Sequence, residues 1–188
     1  LATTNQPEAV ESFIQHAIAA ETTDPIRLVH LCQASLIKTA PLCGFPKIIN
    51  AMNSLVDGLP RPIYHQLRSS YEKPSPMTTE AYRTRGMILF DRVYGVNSQR
   101  VQDRIGESSP RLMDIIMNDM YGKILSDESL LSAPQTELLA VGALATQDVP
   151  YQLRSHVLGA RNVGVPQVQI DAVITLAKLL LRRRRASI

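Results

Sequence analysis

The sequence predicts an all-α protein, and three observations predict it. Apolar residues recur at three- and four-residue spacing along most of the chain. Most of these stretches open on Pro, Ser, Thr, Asn or Asp and close near Gly. No stretch alternates apolar and polar residues convincingly over a strand's length. With 188 residues, 45% hydrophobic and 20% charged, the chain suits one globular domain or two small halves sharing one core.

In chain order, Asn5, Pro7 and Glu8 read as a helix start with Asn5 as N-cap and Glu8 closing a capping box, followed by Val10, Phe13, Ile14, Ala17 and Ile18 at helical spacing. Asp24-Pro25 opens a second helix through Leu28, Val29, Leu31, Cys32, Leu36 and Ile37, expected to stop before Pro41. Gly44-Phe45-Pro46 turns into a third, with Ile48, Ile49, Met52 and Leu55 on one side and Gly58 as its stop. Residues 1–58 thus form an N-terminal helical unit. Over 59–78 the helical pattern fails at Pro60, Pro62, Pro74 and Pro76, which reads as a connection.

A helical domain follows over 79–181. Its first helix starts at Thr79-Glu80, buries Tyr82, Leu89, Phe90 and Val93, and ends at Tyr94-Gly95. Ser109-Pro110 opens the next, up to Gly122. Ser132, Pro134 and Gln135 have the spacing of a capping box for a helix that Val149-Pro150 stops. Pro150 starts another that closes at Asn162-Val163-Gly164, and Pro166 opens the last.

The net charge of +3 is a property of one run. Without Arg182 to Arg185, 16 basic side chains remain against 17 acidic ones, a net charge of −1. A nucleic-acid-binding domain spreads basic residues over a folded face, so this body argues against nucleic acid. The 182–188 tail reads first as a cap against the negative end of a helix dipole. It also offers a contact for an acidic partner, and Arg184-Arg185-Ala186-Ser187 has the form of a basic kinase site. The apolar stretch from Ala172 to Leu181 is too short to span a bilayer.

Cys32 and Cys43 form neither a CxxC pair nor a metal-ligand spacing, which fits a reducing compartment, cytoplasmic or organellar, whether mitochondrial or peroxisomal. The chain starts at Leu1, which leaves an N-terminal targeting segment open. His16, His30 and His65 lack an acidic or nucleophilic partner at a telling spacing and read as structural or surface residues.

His156 differs. The helices holding Glu137 and His156 are joined by a tight turn at Asp148 to Pro150, so they run antiparallel. Folding that hairpin at its midpoint sets His156 across from Val141, one turn or about 6 Å along the axis from Glu137. Such a pair suits proton transfer, because the carboxylate holds the imidazole's tautomer and raises its basicity. It equally suits a buried polar contact that fixes the register of the hairpin.

From Arg85 to Ala177 the wording resembles the carboxymuconolactone decarboxylase-like, or AhpD-like, family. RGMILFDRVYG (Arg85 to Gly95), the segment SPRLMDIIMNDMYGKILSDESLLS ending at Ser132, TELLAVGALA (Thr136 to Ala145), LRSHVLGARNVGV (Leu153 to Val165) and the IDAVITLA helix carry the likeness. Upstream, the Gly-Phe-Pro helix start after Cys43 resembles one that many family members place after their last helix, as in a permuted or duplicated arrangement.

The resemblance implies a multihelical AhpD-like fold in two unequal parts, assembling as a homo-oligomer, a trimer or hexamer. Redox-active members pair a glutamate with a later Cys-x-x-Cys and a histidine four residues beyond it. Glu137 and His156 match the outer members, but Val149 and Gln152 stand where the cysteines would be. This argues against thiol peroxidase chemistry and points to the decarboxylase branch. The implied activity is a cofactor-free, metal-free lyase or related isomerase acting on a small carboxylated or lactone substrate. In that reading Glu137 and His156 are the catalytic proton-transfer pair, and Arg154 or Arg161 could hold the substrate carboxylate. Two alternatives stay open: a non-catalytic subunit or assembly protein of a larger complex, and an antioxidant using Cys32 or Cys43.

Overall fold

A computed structural model describes residues 1–20, 24–69 and 75–186, with side chains up to Arg182 at the C-terminal end. Every regular element among the described residues is helical, as the periodicity predicts. The chain divides into two compact units, one of residues 1–75 with 180–188 and one of residues 76–179.

In the first unit α1 (Pro7–Ala19), α2 (Pro25–Cys43), α3 (Phe45–Asp57) and α4 (Arg61–Ser69) enclose Val10, Ile14, Val29, Ala51, Leu55 and Leu67. Asp24 caps α2 by accepting from Ile26 N (3.3 Å) and Arg27 N (3.2 Å), and Gly58 closes α3, both as expected. Three local expectations fail. Asn5 does not cap α1: it adopts a left-handed conformation (φ 53°) that ends a short 3-10 turn, and Gln6 takes the cap position without a side-chain bond. Pro41 does not end α2, which runs to Cys43. The bond it removes falls in the last turn, where the carbonyl released belongs to the exposed Ile37.

The third failure is α4, which lies inside the proposed proline-rich connection. Pro60 and Pro62 fall before and in its first turn, where a helix needs no backbone donor. Pro74 lies outside the described residues.

The second unit holds α5 (Thr79–Tyr94), α6 (Ser98–Ser108), α7 (Pro110–Ile115), a π-helix (Ile116–Leu125), α8 (Ala133–Ala145), α9 (Pro150–Asn162) and the first part of α10 (Gln167–Ala186). Helix α6 was not foreseen. Its only aliphatic residues, Val101 and Ile105, are half-buried, so its apolar stripe is too narrow to stand out from the charged sequence.

The π-helix is the second surprise, replacing the expected end at Gly122. It packs against α5 through two facing glycines. A Cβ on Gly86 would stand 2.6 Å from the Met117 carbonyl, and one on Gly122 would stand 2.6 Å from the Tyr82 carbonyl. Only hydrogen fits between those backbones. Arg85 then secures the crossing, donating from Nη2 to Gly122 O (2.8 Å) and from Nε to Ser126 Oγ (3.0 Å). Leu89, Phe90, Val93, Met117, Tyr121, Leu125 and Ala133 form the core between them. Each large member stabilises the unit by about 1.5–3 kcal/mol.

A second cluster, Val141, Ala160, Val165 and Ile170, joins α8, α9 and α10. Helix α10 continues to Ala186, so the backbone of the basic run belongs to its last turns and not to a separate tail. Arg182 is exposed. The side chains of Arg183, Arg184 and Arg185, and all of Ser187, lie outside the described residues. No helix among the described residues is long and apolar enough to cross a membrane.

Candidate active site

Helix α8 starts at the capping box read from the sequence, with Gln135 Oε1 accepting from Ser132 N at 2.9 Å. Beyond that first turn it is wrapped on several sides, burying Ala133, Thr136, Glu137, Ala140, Val141, Ala143 and Leu144. Glu137 is therefore fully buried, with an exposure of 0%. Pro150 starts α9 with an N-terminal proline, and the hairpin packs α9 along α8. His156 on α9 is 5% exposed. Its Nδ1 lies 2.9 Å from Glu137 Oε2.

The pair forms because α9 comes unusually close. A Cβ at Gly159 would stand 2.6 Å from Val93 Cγ1 and 2.9 Å from Glu137 Oε2. At the ends of α5 and α9, Asn162 Nδ2 donates to Val93 O at 2.8 Å, satisfying a carbonyl that the end of α5 leaves unpaired. Three helices thus meet at Gly159, and the carboxylate and imidazole are held by packing on every side. A carboxylate at this position only accepts, so Nδ1 is the donor of the contact and Nε2 is the ring nitrogen it leaves uncommitted.

Two tyrosines join the pair, and sequence reading did not single them out as site residues. The ring of the half-buried Tyr94, at the end of α5, meets His156 edge-on with centroids 6.3 Å apart. Tyr121, from the π-helix, is 1% exposed and packs 4.9 Å from Phe90 and 6.5 Å from Tyr94. Burial pushes both phenols above their ordinary ionisation range, Tyr121 the further of the two, with the Glu137 carboxylate adding to each shift. Both stay neutral near pH 7. Their signal in the sequence was the glycine pair Gly86 and Gly122, which drives the π-helix against α5.

Among the described residues, Tyr121 Oη, Thr136 Oγ1 and Glu137 Oε1 are buried without a hydrogen bond of ordinary geometry. Tyr121 and Tyr94 still feel each other's hydroxyls.

The other candidates stand apart. Arg154 is exposed. Arg161 is exposed too, and its Nε donates to Gln167 Oε1 at 2.7 Å in the turn before α10. Neither forms a hydrogen bond or ion pair with Glu137 or His156. Val149 and Gln152 bring no thiol to the hairpin. Cys32 and Cys43 lie in the first unit, and burial raises both thiols above their ordinary range. Among the described residues, no three His, Cys, Asp or Glu side chains gather as a metal site.

Comparison with known proteins matches residues 111–181 to the carboxymuconolactone decarboxylase family, a span that includes the π-helix, α8 and α9. Over 173 residues the chain is 31% identical to Peroxisomal protein 2 of Schizosaccharomyces pombe, an alignment covering 92% of this chain and 78% of that one. The chain belongs to the carboxymuconolactone decarboxylase family. It is also 28% identical over 165 residues to Peroxisomal protein 2 of Saccharomyces cerevisiae, covering 77% of this chain and 58% of that longer protein. No solved structure matches. The family's span contains Glu137, His156 and Tyr121 but stops short of Tyr94, so the fourth member of the cluster comes from outside the matched region.

Proposed function

We propose that this chain is a cofactor-free carboxymuconolactone decarboxylase-like enzyme acting on a small carboxylated or lactone substrate. The carrying observation is the contact of Glu137 Oε2 with His156 Nδ1 at 2.9 Å, inside a core otherwise lined by apolar and aromatic groups. In such surroundings the carboxylate fixes the imidazole's orientation, and Nε2 is the atom that takes or returns a proton. Loss of carbon dioxide from a lactone acid leaves an enolate-like intermediate, and His156 in its protonated form supplies the proton that quenches it.

Of the two cations on α9, Arg154 is the freer to meet a substrate carboxylate, since Arg161 is engaged with Gln167. The test uses carboxymuconolactone and a panel of small lactone acids, with carbon dioxide release as the readout. Loss of turnover by about 100-fold or more in His156→Ala, with the fold intact, is the expected result. Full turnover in that variant refutes the reading.

The burial of the same pair favours a second reading, in which the contact only fixes the hairpin and the chain serves as a subunit of a larger complex. Exposed apolar residues on one side of α10, Val168 (73%), Leu176 (57%) and Leu179 (50%), support self-association, here proposed as a homo-oligomer. Native mass in cell extract separates the two: a small homo-oligomer supports the enzyme, and stable co-migration with other chains supports the subunit. The relatives' printed name makes a peroxisomal location the proposal for this chain, to be checked by imaging a tagged full-length protein.

A further inference from the structure

At the end of the π-helix one amide passes over its usual acceptor. Ser126 N donates to Tyr121 O at 3.0 Å, five residues back. In an α-helix the same amide would go to Gly122 O, four residues back. Gly122 and Ser126 are both buried, so a carbonyl passed over in this way must find another donor. Gly122 O finds it in Arg85 on α5, accepting from Nη2 at 2.8 Å and from Nε at 3.1 Å. Ser126 Oγ donates to the same carbonyl at 2.9 Å and accepts from Nε at 3.0 Å, while Nη2 reaches on to Lys123 O at 3.4 Å.

The half-buried guanidinium thus stands in for the amide that π spacing takes away. A planar fork meets two carbonyls and a hydroxyl together, which a single ammonium cannot do. Tyr82, three residues before it on α5, has its ring centroid 5.5 Å from Arg85 Cζ and helps to fix the plane of the fork. Gly86 and Gly122 let the two backbones touch, but they donate nothing to the carbonyl left over.

We propose that Arg85 is a positioning residue: it holds residues 116–125 in the π register and through that register seats Tyr121 in the aromatic wall beside His156. The wall runs from Phe90 to Tyr121 at 4.9 Å, from Tyr121 to Tyr94 at 6.5 Å and from Tyr94 to His156 at 6.3 Å between ring centroids. Without Arg85, the nearest donor for Gly122 O is the Ser126 amide, and taking it tightens the last turn by one residue. Such a change turns the side chains on one side of it by about 100° against those on the other. Tyr121 and Leu125, each 1% exposed, stand at the two ends of that turn and cannot both keep their places. Beyond it Glu128 anchors the chain, Oε1 accepting from Arg92 Nη1 and Oε2 from Ala133 N, both at 3.0 Å, so the rotation falls on Tyr121. Tyr94 then loses its neighbour, and the ring facing His156 is no longer held. The consequence for chemistry rests on the proposed Glu137–His156 reaction; the register does not.

The test follows 19F NMR of the full chain labelled with 3-fluorotyrosine, its Tyr94 and Tyr121 signals assigned by Tyr→Phe variants. Arg85→Met keeps the stem and removes the fork. Both signals should move in that variant, the His156 imidazole signals should move with them, and a crystal structure should show Ser126 N bonded to Gly122 O. Loss of a salt-bridge or packing contact alone would lower the melting temperature and leave these signals in place. Ser126→Ala is the companion: it keeps the guanidinium on Gly122 O and should leave both tyrosine signals where they are.

Unmoved signals in Arg85→Met overturn the proposal. So does a Ser126→Ala variant that shifts them as far, since the hydroxyl would then set the register. Should Arg85→Met fail to fold, Arg85→Lys asks the same question with the charge kept, and a Tyr121 signal identical to the parent's overturns the role of the fork. None of these readouts needs turnover. Full activity in His156→Ala would remove the enzyme reading and leave the register where it is.

Discussion

Replacing Gly159 by Ala separates packing from helix propensity, because the two push in opposite directions by known amounts. In a helix interior, Gly→Ala stabilises by about 1 kcal/mol. At Gly159 the added methyl would stand 2.6 Å from Val93 Cγ1 and 2.9 Å from Glu137 Oε2, with Val93 O a further 3.4 Å away. Carbon atoms rest about 3.5–4.0 Å apart, so α9 must retreat by about 1 Å. Val93 is 1% exposed and set in the core, Glu137 is 0% exposed and bonded to His156, and neither can swing aside.

Overpacking of this kind costs about 1–3 kcal/mol, and the retreat also stretches the carboxylate–imidazole contact. Set against the propensity gain of about 1 kcal/mol, this leaves a net loss of up to about 2 kcal/mol, a melting temperature lower by up to about 8 °C at this chain length. Gly106, in α6, supplies the control, since nothing lies within 4 Å of a Cβ placed there. Gly106→Ala should raise the melting temperature by about 2–4 °C. Thermal unfolding followed by far-UV circular dichroism measures both. If Gly159→Ala gains stability as Gly106→Ala does, the close approach is not rigid and the account of how the pair is held is wrong.

Two further outcomes follow from the shifted groups. Burial holds the Tyr94 and Tyr121 phenols neutral beyond the ordinary value of 10.0, so above that pH the unfolded chain releases protons that the folded chain keeps. The stability these groups contribute is complete below pH 10 and should fall as pH rises through the folded values, and urea midpoints in Tyr94→Phe should fall less steeply there than in the parent chain. Burial likewise raises the Cys32 and Cys43 thiols above 9.0, so both should react with iodoacetamide at neutral pH more slowly than glutathione does; faster reaction would revive a thiol chemistry for the first unit.

The parts of the fold that were legible are those where one residue carries the structural reason alone. Asp24 caps α2, Gln135 closes the box at α8, and Pro150 opens α9, each from a side chain acting on its own backbone. The Glu137–His156 contact was legible for a related reason: a tight turn makes a hairpin, and a hairpin converts sequence distance into spatial distance. Tyr94 and Tyr121 escaped because they meet only through the crossing of α5 with the π-helix, whose cause is the mutual fit of Gly86 and Gly122. Periodicity reads one helix at a time and is blind to such a pair. Helix α4 escaped for the opposite reason, since prolines that would break a helix interior are harmless in a first turn.

A double replacement decides whether the pair is there for the fold. Helix α9 is already keyed sterically to α5 by Gly159 against Val93 and tied to the end of α5 by Asn162, and the Val141–Ala160 packing sets it along α8. A buried carboxylate and imidazole add little to that key, and they carry a desolvation cost together with the unpaired Oε1. Removing one partner strands the other, so Glu137→Leu or His156→Leu alone should lose about 3–5 kcal/mol. Replacing both by leucine removes the stranded charge and fills the space with apolar atoms, and such swaps are commonly neutral or stabilising by about 1–4 kcal/mol. The double variant is therefore expected to be at least as stable as the parent in urea unfolding and inactive toward lactone acids. A double variant as unstable as either single one would mean that the pair builds the hairpin, and the proton-transfer reading would lose its physical ground.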